Sequence, residues 1–159
     1  GGEEEHRIEV YCAHADGDHL YAGCMSWGGE DGETHTVRKI DMKTGDVLWE
    51  CEHGGNVNCV QVDGDHLYTG CDDGMARKID KRTGGVVWAC EHGDCVRCVH
   101  VDGGCLYMGC WNGQATKIDV STGEAVWEHS HGQIVRSVHV DGGYLYTGCD
   151  DRKVRRMLL

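Results

Sequence analysis

A 39-residue repeat runs through almost the whole chain and constrains its fold more than any other feature. The segment VDGDHLYTGCDDGMARKID (62–80) returns as VDGGCLYMGCWNGQATKID (101–119). The leucine of its Leu-Tyr-x-Gly motif stands at positions 20, 67, 106 and 145, so the later intervals are 39 residues and the first is 47. A repeat of this length indicates a stacked architecture with one structural unit per copy. The copies span approximately 6–52, 53–91, 92–130 and 131–159, and the first is eight residues longer.

Each copy contains four short strand candidates separated by turns. In the second copy these are NVNCVQV, HLYTGC, MARKID and GVVWACEH. Asp-Gly between alternating apolar segments is a strong hairpin signal. Four such strands form an antiparallel sheet with two apolar faces, and stacking the copies around an axis buries both faces. The sequence therefore predicts a single all-β domain, 1–159, that is a β-propeller of four-stranded antiparallel blades, four blades per chain.

Charge and composition exclude several classes of function. The chain has 15 Lys and Arg against 27 Asp and Glu, and its net charge of −12 repels a phosphate backbone. No apolar run approaches the roughly 18 residues of a membrane helix. We therefore expect neither a nucleic-acid partner nor a membrane partner. Hydrolase motifs such as G-x-S-x-G and H-E-x-x-H are absent, which argues against an enzyme and against a cofactor.

The cysteines follow the repeat. Cysteine succeeds the glycine of every Leu-Tyr-x-Gly motif, and three more share a second equivalent position at 12, 59 and 98. Repeated positions predict apolar packing rather than disulfides, and an odd total of 11 without a secretory signal favours a reduced, cytoplasmic setting. One Cys-x-x-Cys pair, Cys95 and Cys98, has no second pair to complete a zinc site, so we expect no metal. The absence of proline, where usage of about 5% is ordinary, favours a selected, reconstructed or engineered sequence.

Two propeller families resemble the repeat. From His53 the pattern H-x-x-x-V-x-x-V-x-V-D-G followed by LYTGCDDG resembles WD repeats, and it recurs from His92 and His131 and more weakly from His6. The second half of each copy, D-x-x-T-G-x-x-x-W at 41–49, 80–88 and 119–127, resembles the repeats of pyrroloquinoline-quinone dehydrogenases. That resemblance implies docking of a tryptophan between neighbouring blades. The three tryptophans are Trp49, Trp88 and Trp127.

The WD resemblance further implies a hydrogen-bonded network of histidine, aspartate, hydroxyl and tryptophan within a blade. The matching residues are His92 or His131 (with His53 as their repeat equivalent), Asp73 or Asp151, and Thr69 or Thr147. Isoleucine or methionine stands where the tryptophan of that network would be. We therefore expect a partial network, with more of the stability coming from the docked indoles.

The sequence leaves the closure of the ring open. The last copy lacks its outermost strand, and only EEEH precedes the inner strand of the first copy. Four blades could close alone, or two chains could each give a half-ring of an eight-bladed homodimer. Tryptophan docking is typical of eight-bladed rings in the resembling family, which favours the dimer. A chain excised from a larger propeller fits the same pattern.

The candidate partner-binding residues lie in turns on the rim of the histidine loops. The extra residues of the first copy form the hairpin CMSWGGEDGETHTVRK, with Trp27, Glu30 and Asp31 near its tip, and the equivalent turn of the third copy carries Trp111. Exposed loop aromatics favour a protein-binding surface, whereas an extended hairpin with the tryptophan on its own strand is the plain alternative. Aspartates gather on the same rim and suggest a cation site, although starting turns is their commoner role. They are Asp72, Asp73, Asp150 and Asp151. We expect Asp72 and Asp150 to belong to the partner-binding surface and Asp73 and Asp151 to be structural.

These observations rank three functions. The first is a non-catalytic scaffold that binds an unidentified protein through the histidine-side rim. The second is an excised, reconstructed or engineered propeller fragment whose main activity is self-assembly into a closed ring. The third and least favoured is a metal- or quinone-dependent enzyme.

Overall fold

The computed structural model describes residues 7–28 and 32–159 and contains four antiparallel sheets, one for each copy of the repeat. In each sheet the strands follow chain order, so every connection within a sheet is a hairpin. The first three sheets have four strands, and the fourth has three among the described residues. The fold is therefore an all-β propeller arrangement of small antiparallel blades.

The strands of the first two sheets have the following bounds: β1 Arg7–Asp16, β2 His19–Trp27, β3 Thr34–Asp41, β4 Val47–His53, β5 Val57–Asp63, β6 His66–Cys71, β7 Met75–Asp80 and β8 Val86–Glu91. Those of the third and fourth sheets are β9 Val96–Asp102, β10 Cys105–Cys110, β11 Gln114–Asp119, β12 Ala125–Ser130, β13 Val135–Asp141, β14 Tyr144–Cys149 and β15 Val154–Leu158. The extra residues of the first copy lengthen the hairpin between β2 and β3.

Successive sheets pack through their innermost strands, with β1 against β5, β5 against β9 and β9 against β13. A valine of the later sheet lies over a glycine of the earlier one. A Cβ placed on Gly70 would lie 2.6 Å from Val96 Cγ1, and one placed on Gly109 would lie 2.5 Å from Val135 Cγ1. Both valines are fully buried. The glycine of Leu-Tyr-x-Gly is therefore required because the neighbouring valine occupies the space of a side chain.

The first and last sheets each leave one face without a neighbour. Within the described residues, no packing comparable to that between successive sheets joins β13 to β1. Val10 occupies the position of the buried valines, yet it is 61% exposed. Gly148 occupies the position of the covered glycines, and of residues 7–28 and 32–159 a Cβ there would meet only Ser137 of its own sheet. The four sheets therefore form an open arc.

The turns follow the sequence chemistry closely. The Asp80 carboxylate accepts hydrogen bonds from the backbone N–H groups of Arg82 and Thr83, which fixes the turn between β7 and β8. In the turn between β14 and β15, Arg152 has φ 64°, where the equivalent Gly74 has φ 80°. A non-glycine residue is strained in this left-handed region. No helix in the described part of the chain is long and apolar enough to span a membrane.

Candidate functional site

The tryptophans of the second half-repeat dock on the next blade. Trp49 Nε1 donates a 3.1 Å hydrogen bond to the carbonyl oxygen of Lys81, and its ring lies against Gly84, whose φ is +75°. Trp88 repeats the arrangement one blade later, with a 3.0 Å bond to Val120 O and its ring on Gly123. A side chain at either glycine would collide with the indole. These contacts join one blade to the next through a hydrogen bond and a packed aromatic ring.

The third docked residue is less completely engaged. Trp127 packs against the apolar cluster of the fourth sheet, which includes Val135 and Leu145. No hydrogen bond from its indole is found within the described residues. Trp127 therefore joins the third and fourth blades through apolar packing.

The histidine loop of the second blade contains a buried polar network. His53 Nδ1 lies 3.1 Å from Cys51 O, and His53 Nε2 lies 3.0 Å from Thr69 Oγ1. Because a carbonyl only accepts, Nδ1 carries the proton and Nε2 accepts from the threonine hydroxyl. Burial, with the nearby Arg77 cation as a further cause, lowers the pKa of His53 to about 4. The ring is neutral and structural at physiological pH.

Asp73 lies in the turn between β6 and β7, beside the histidine loop, and is held by several donors. Arg77 donates to both carboxylate oxygens, at 3.2 and 2.5 Å, and the backbone N–H of Gly54 donates at 3.1 Å. Burial opposes ionisation of this carboxyl, but the hydrogen bonds from Arg77 and other donors outweigh it and lower the pKa of Asp73 to about 2. An aspartate engaged in this way fixes the loop and offers little to an incoming cation.

The fourth blade repeats part of this network, without a partner for His131 Nδ1 among the described residues, and the third does not repeat it. His131 Nε2 lies 3.2 Å from Thr147 Oγ1, and Arg155 pairs with Asp151. In the third blade the buried Nε2 of His92 finds no partner in the part of the chain that the structure describes, because Met108 stands at the hydroxyl position. The arginines were missed by the sequence analysis. Their signal is the spacing Asp-x-x-x-Arg, which brings the two side chains together across the turn between the second and third strands.

The two exposed-aromatic candidates differ in their surroundings. Trp27 is the last residue of β2, is half-buried, and has the guanidinium of Arg7 5.4 Å from its ring centroid. Trp111 is 50% exposed in its turn, with Arg97 5.9 Å from its ring centroid. Glu30 and Asp31 lie outside the described residues.

The remaining acidic candidates are already paired. Asn58 Nδ2 donates to Asp72 Oδ1 at 2.7 Å. Arg136 binds both oxygens of Asp150, at 2.5 and 3.0 Å, and this contact lowers the pKa of Asp150. On this rim Trp111 is therefore the candidate that offers the most free surface.

All 11 cysteines are free thiols, and each is buried or half-buried. Burial raises the pKa of Cys12 to about 11 and of Cys98 to about 12, and it raises that of Cys59 well above its ordinary value. Such thiols are protonated and unreactive. In residues 7–28 and 32–159 no group of three or more His, Cys, Asp or Glu side chains is arranged to hold a metal ion.

The sheets, the valine-on-glycine contacts and the docked tryptophans define a β-propeller built from pyrroloquinoline-quinone-type repeats. Residues 8–133 and 72–157 match the family model described as outer membrane protein assembly factor BamB, and the chain belongs to this family. The resemblance of the first half of each copy to WD repeats stays a prediction. Comparison with curated proteins gives no match.

Solved structures share the fold at low sequence identity. The computationally designed Ika4 protein superposes with a TM-score of 0.84 at 19% identity, over 100% of this chain and 99% of that one. The computationally designed Ika8 protein gives 0.77 at 16% identity, over 95% of this chain and 58% of that one. BamB from Moraxella catarrhalis gives 0.73 at 19% identity, over 93% and 46%. The chain thus spans about half the length of the latter two proteins.

Proposed function

We propose that this chain is a non-catalytic propeller unit whose main activity is self-assembly, and that two copies close one ring. The observation that carries the proposal is the exposure of Val10. Its repeat equivalents Val57, Val96 and Val135 are at most 1% exposed because each packs on the glycine of the preceding sheet, whereas Val10 is 61% exposed. A second copy can cover it in the same way.

The opposite end of the arc presents the complementary face. Val96 lies over Gly70, and Val135 lies over Gly109. Among the described residues no valine lies over Gly148, so a valine of a second copy has space there. Near it, Val154 of β15 is 77% exposed, although its equivalents at positions 37, 76 and 115 are completely buried. Burying a valine stabilises by about 1.5–3 kcal/mol, and a closed two-copy ring contains this contact twice. The two junctions are related by a two-fold axis along the centre of the ring.

The comparisons support an arc that is part of a larger ring. The four sheets superpose on a little over half of Ika8 and on about half of BamB, which supports an arc of a longer propeller, although they also superpose on nearly the whole of Ika4. Eight blades in two copies follow if the chain supplies half of such a ring. Two of the three solved structures described above are computationally designed, and together with the absence of proline this favours an engineered or reconstructed origin.

The test is the mass of the particle and its dependence on Val10. Light scattering or native mass spectrometry is expected to give twice the chain mass of 17.5 kDa for the unmodified protein. Val10→Asp places an unpaired charge in both junctions and is expected to raise the dissociation constant by about 100-fold or more. Val126→Asp is the matched control. Val126 is 57% exposed, and its equivalent Val87 stays 52% exposed in a blade with neighbours on both sides.

A dimer that dissociates with Val10→Asp and persists with Val126→Asp supports the proposal. Gly148→Leu fills the opposite face and is expected to give the same result as Val10→Asp. A monomer at the highest soluble concentration of the unmodified protein would refute it, and so would a dimer that tolerates both junction variants.

A second function, binding of a protein partner at the histidine-side rim, is favoured by one observation. Trp111 exposes half of its side chain beside Arg97, and both residue types are enriched in binding hot spots. Trp111→Ala should leave folding and dimerisation unchanged but abolish capture of a partner that the unmodified ring binds.

The reduced thiols support a reducing, cytoplasmic setting for the chain.

A further inference from the structure

One position of the repeat places a polar side chain at the same point of every innermost strand. The offsets of 47 and 39 residues relate positions 14, 61, 100 and 139, which are His, Gln, His and His. Side chains two residues apart along a strand share a face. In the third blade Cys98, two residues before this position, directs its Sγ at Val135 O of the fourth blade. The side chain of His100 therefore faces the fourth blade as well.

Contacts from one blade to the next follow this row of side chains. Gln61 Oε1 accepts a 2.8 Å hydrogen bond from the backbone N–H of Val101 in the third blade. One step further along the row, the ring of His100 lies beside that of His139 in the fourth blade. Their centroids are 4.7 Å apart and their planes are inclined by 65°. Residues 39 positions apart in the sequence thus bring two imidazoles together across a junction between blades.

The spacing of this pair fits two ligands of one transition-metal ion. With a metal–nitrogen bond of about 2.0–2.1 Å and an angle of about 90–110° at the ion, the centroids of two bound imidazoles lie about 4.5–5.2 Å apart. The observed 4.7 Å falls within this range. The torsion that turns an imidazole about its Cβ–Cγ bond is broad, so each ring can direct a nitrogen at a shared ion.

Both imidazoles are accessible and chemically suited to binding a cation. His100 is half-buried and His139 is exposed, and in the part of the chain that the structure describes no hydrogen bond engages a ring nitrogen of either one. Burial, and after it the neighbouring His139, lowers the pKa of His100, so this ring is in the neutral form that binds metal at neutral pH. The net charge of −12 attracts cations to the chain.

A second histidine pair in the chain provides a comparison. The rings of His129 and His131 in β12 have centroids 4.9 Å apart. However, His131 is only 8% exposed, and its Nε2 lies 3.2 Å from Thr147 Oγ1. A metal ion at this pair would have to displace a buried hydrogen bond, which is costly. The pair formed by His100 and His139 carries no such cost.

We propose that His100 and His139 bind one divalent ion of the zinc class, with water completing its coordination, and that the ion links the third blade to the fourth. Imidazole nitrogen suits Zn²⁺, Cu²⁺ and Ni²⁺, whereas Mg²⁺ and Ca²⁺ prefer oxygen ligands. The link falls at the junction to which Trp127 contributes apolar packing. Both protein ligands belong to one chain, so this inference does not depend on the proposed ring.

Titration of the reduced chain with Zn²⁺ alone, followed by calorimetry, tests the site. We expect one ion per chain. Loss of an outer-shell partner of a metal ligand already costs about 10–100-fold in affinity, so His100→Gln and His139→Gln are each expected to weaken Zn²⁺ binding by at least about tenfold. Glutamine occupies the same position in the second blade, so the fold accommodates both variants. His129→Gln is the matched control and should keep the affinity of the unmodified chain.

Urea unfolding gives a second readout of the same site. An ion that binds the folded chain stabilises it, so Zn²⁺ should raise the urea midpoint of the unmodified chain and of His129→Gln, but not of His100→Gln or His139→Gln. Mg²⁺ should raise none of them, and the metal-free midpoints show that each variant folds. Absence of Zn²⁺ binding to the unmodified chain would overturn the inference. An affinity that tolerates both site variants, or that falls only in His129→Gln, would overturn it as well.

Discussion

Protonation of His53 should destabilise the fold at mildly acidic pH. The ring is 8% exposed and hydrogen-bonded as a neutral group, and burial lowers its pKa to about 4 from an ordinary value of 6.5. Because the folded pKa is the lower one, the unfolded chain binds the proton first as pH falls below 6.5. The free energy of unfolding therefore decreases between about pH 6.5 and 4, and this histidine no longer contributes to the pH dependence below that window.

The magnitude follows from the shift. At 1.36 kcal/mol per pKa unit, the shift of His53 corresponds to a decrease of about 3 kcal/mol in the free energy of unfolding. About 2 kcal/mol of this decrease falls between pH 7.5 and pH 5. The measurements end at pH 5 because Asp73, whose pKa is about 2 in the folded protein, changes the free energy of unfolding mainly below that pH. The change to test is His53→Gln, which keeps a polar group in the loop and cannot be protonated.

The assay is urea unfolding followed by tryptophan fluorescence at one protein concentration, since dimerisation would otherwise shift the apparent stability. The unmodified chain is expected to lose about 2 kcal/mol more than His53→Gln between pH 7.5 and 5. Exposed His139→Gln is the control and should behave like the unmodified chain. Equal losses in the unmodified chain and in His53→Gln would refute the assignment of a buried neutral imidazole.

Further changes test the packing between blades at Trp88 and Gly70 and the backbone strain of one turn at Arg152. Trp88→Phe should cost about 1 kcal/mol through the lost indole hydrogen bond, and Trp88→Ala about 2–4 kcal/mol, both measured by urea unfolding. Gly70→Ala should cost more than about 2 kcal/mol, and adding Val96→Ala should recover part of the loss, which a double-mutant cycle measures. Arg152→Gly should stabilise the fold by about 1 kcal/mol by relieving the positive φ, seen as a higher urea midpoint.

The fold could be predicted from the sequence because its determinants are local and repeated. Turn residues such as Asp80, the alternation of apolar positions and the 39-residue spacing all act within one copy, so four occurrences of the pattern reinforce one another. The docking of Trp49 and Trp88 followed from the resemblance, and the structure adds the acceptor carbonyls and the glycines beneath the rings.

The candidate rim was predicted only in part, because pairing between side chains depends on distances that repeat spacing does not give. Asp72 and Asp150 look like free acidic residues in the sequence, but Asn58 and Arg136 bind them in the fold. Trp27 lies on its own strand, as the plain alternative of the sequence analysis held.

The sequence by itself determined the structure of one repeat, which is a small antiparallel sheet with apolar faces. Strand pairing and the alternation of apolar residues both lie within about 39 residues. What only the tertiary structure decided is where the stacking stops. Val10 and Val57 have the same chemistry and the same place in the repeat, yet one is exposed and the other buried. Whether a side chain is buried depends on whether another sheet packs against its face, and the residue itself does not determine that.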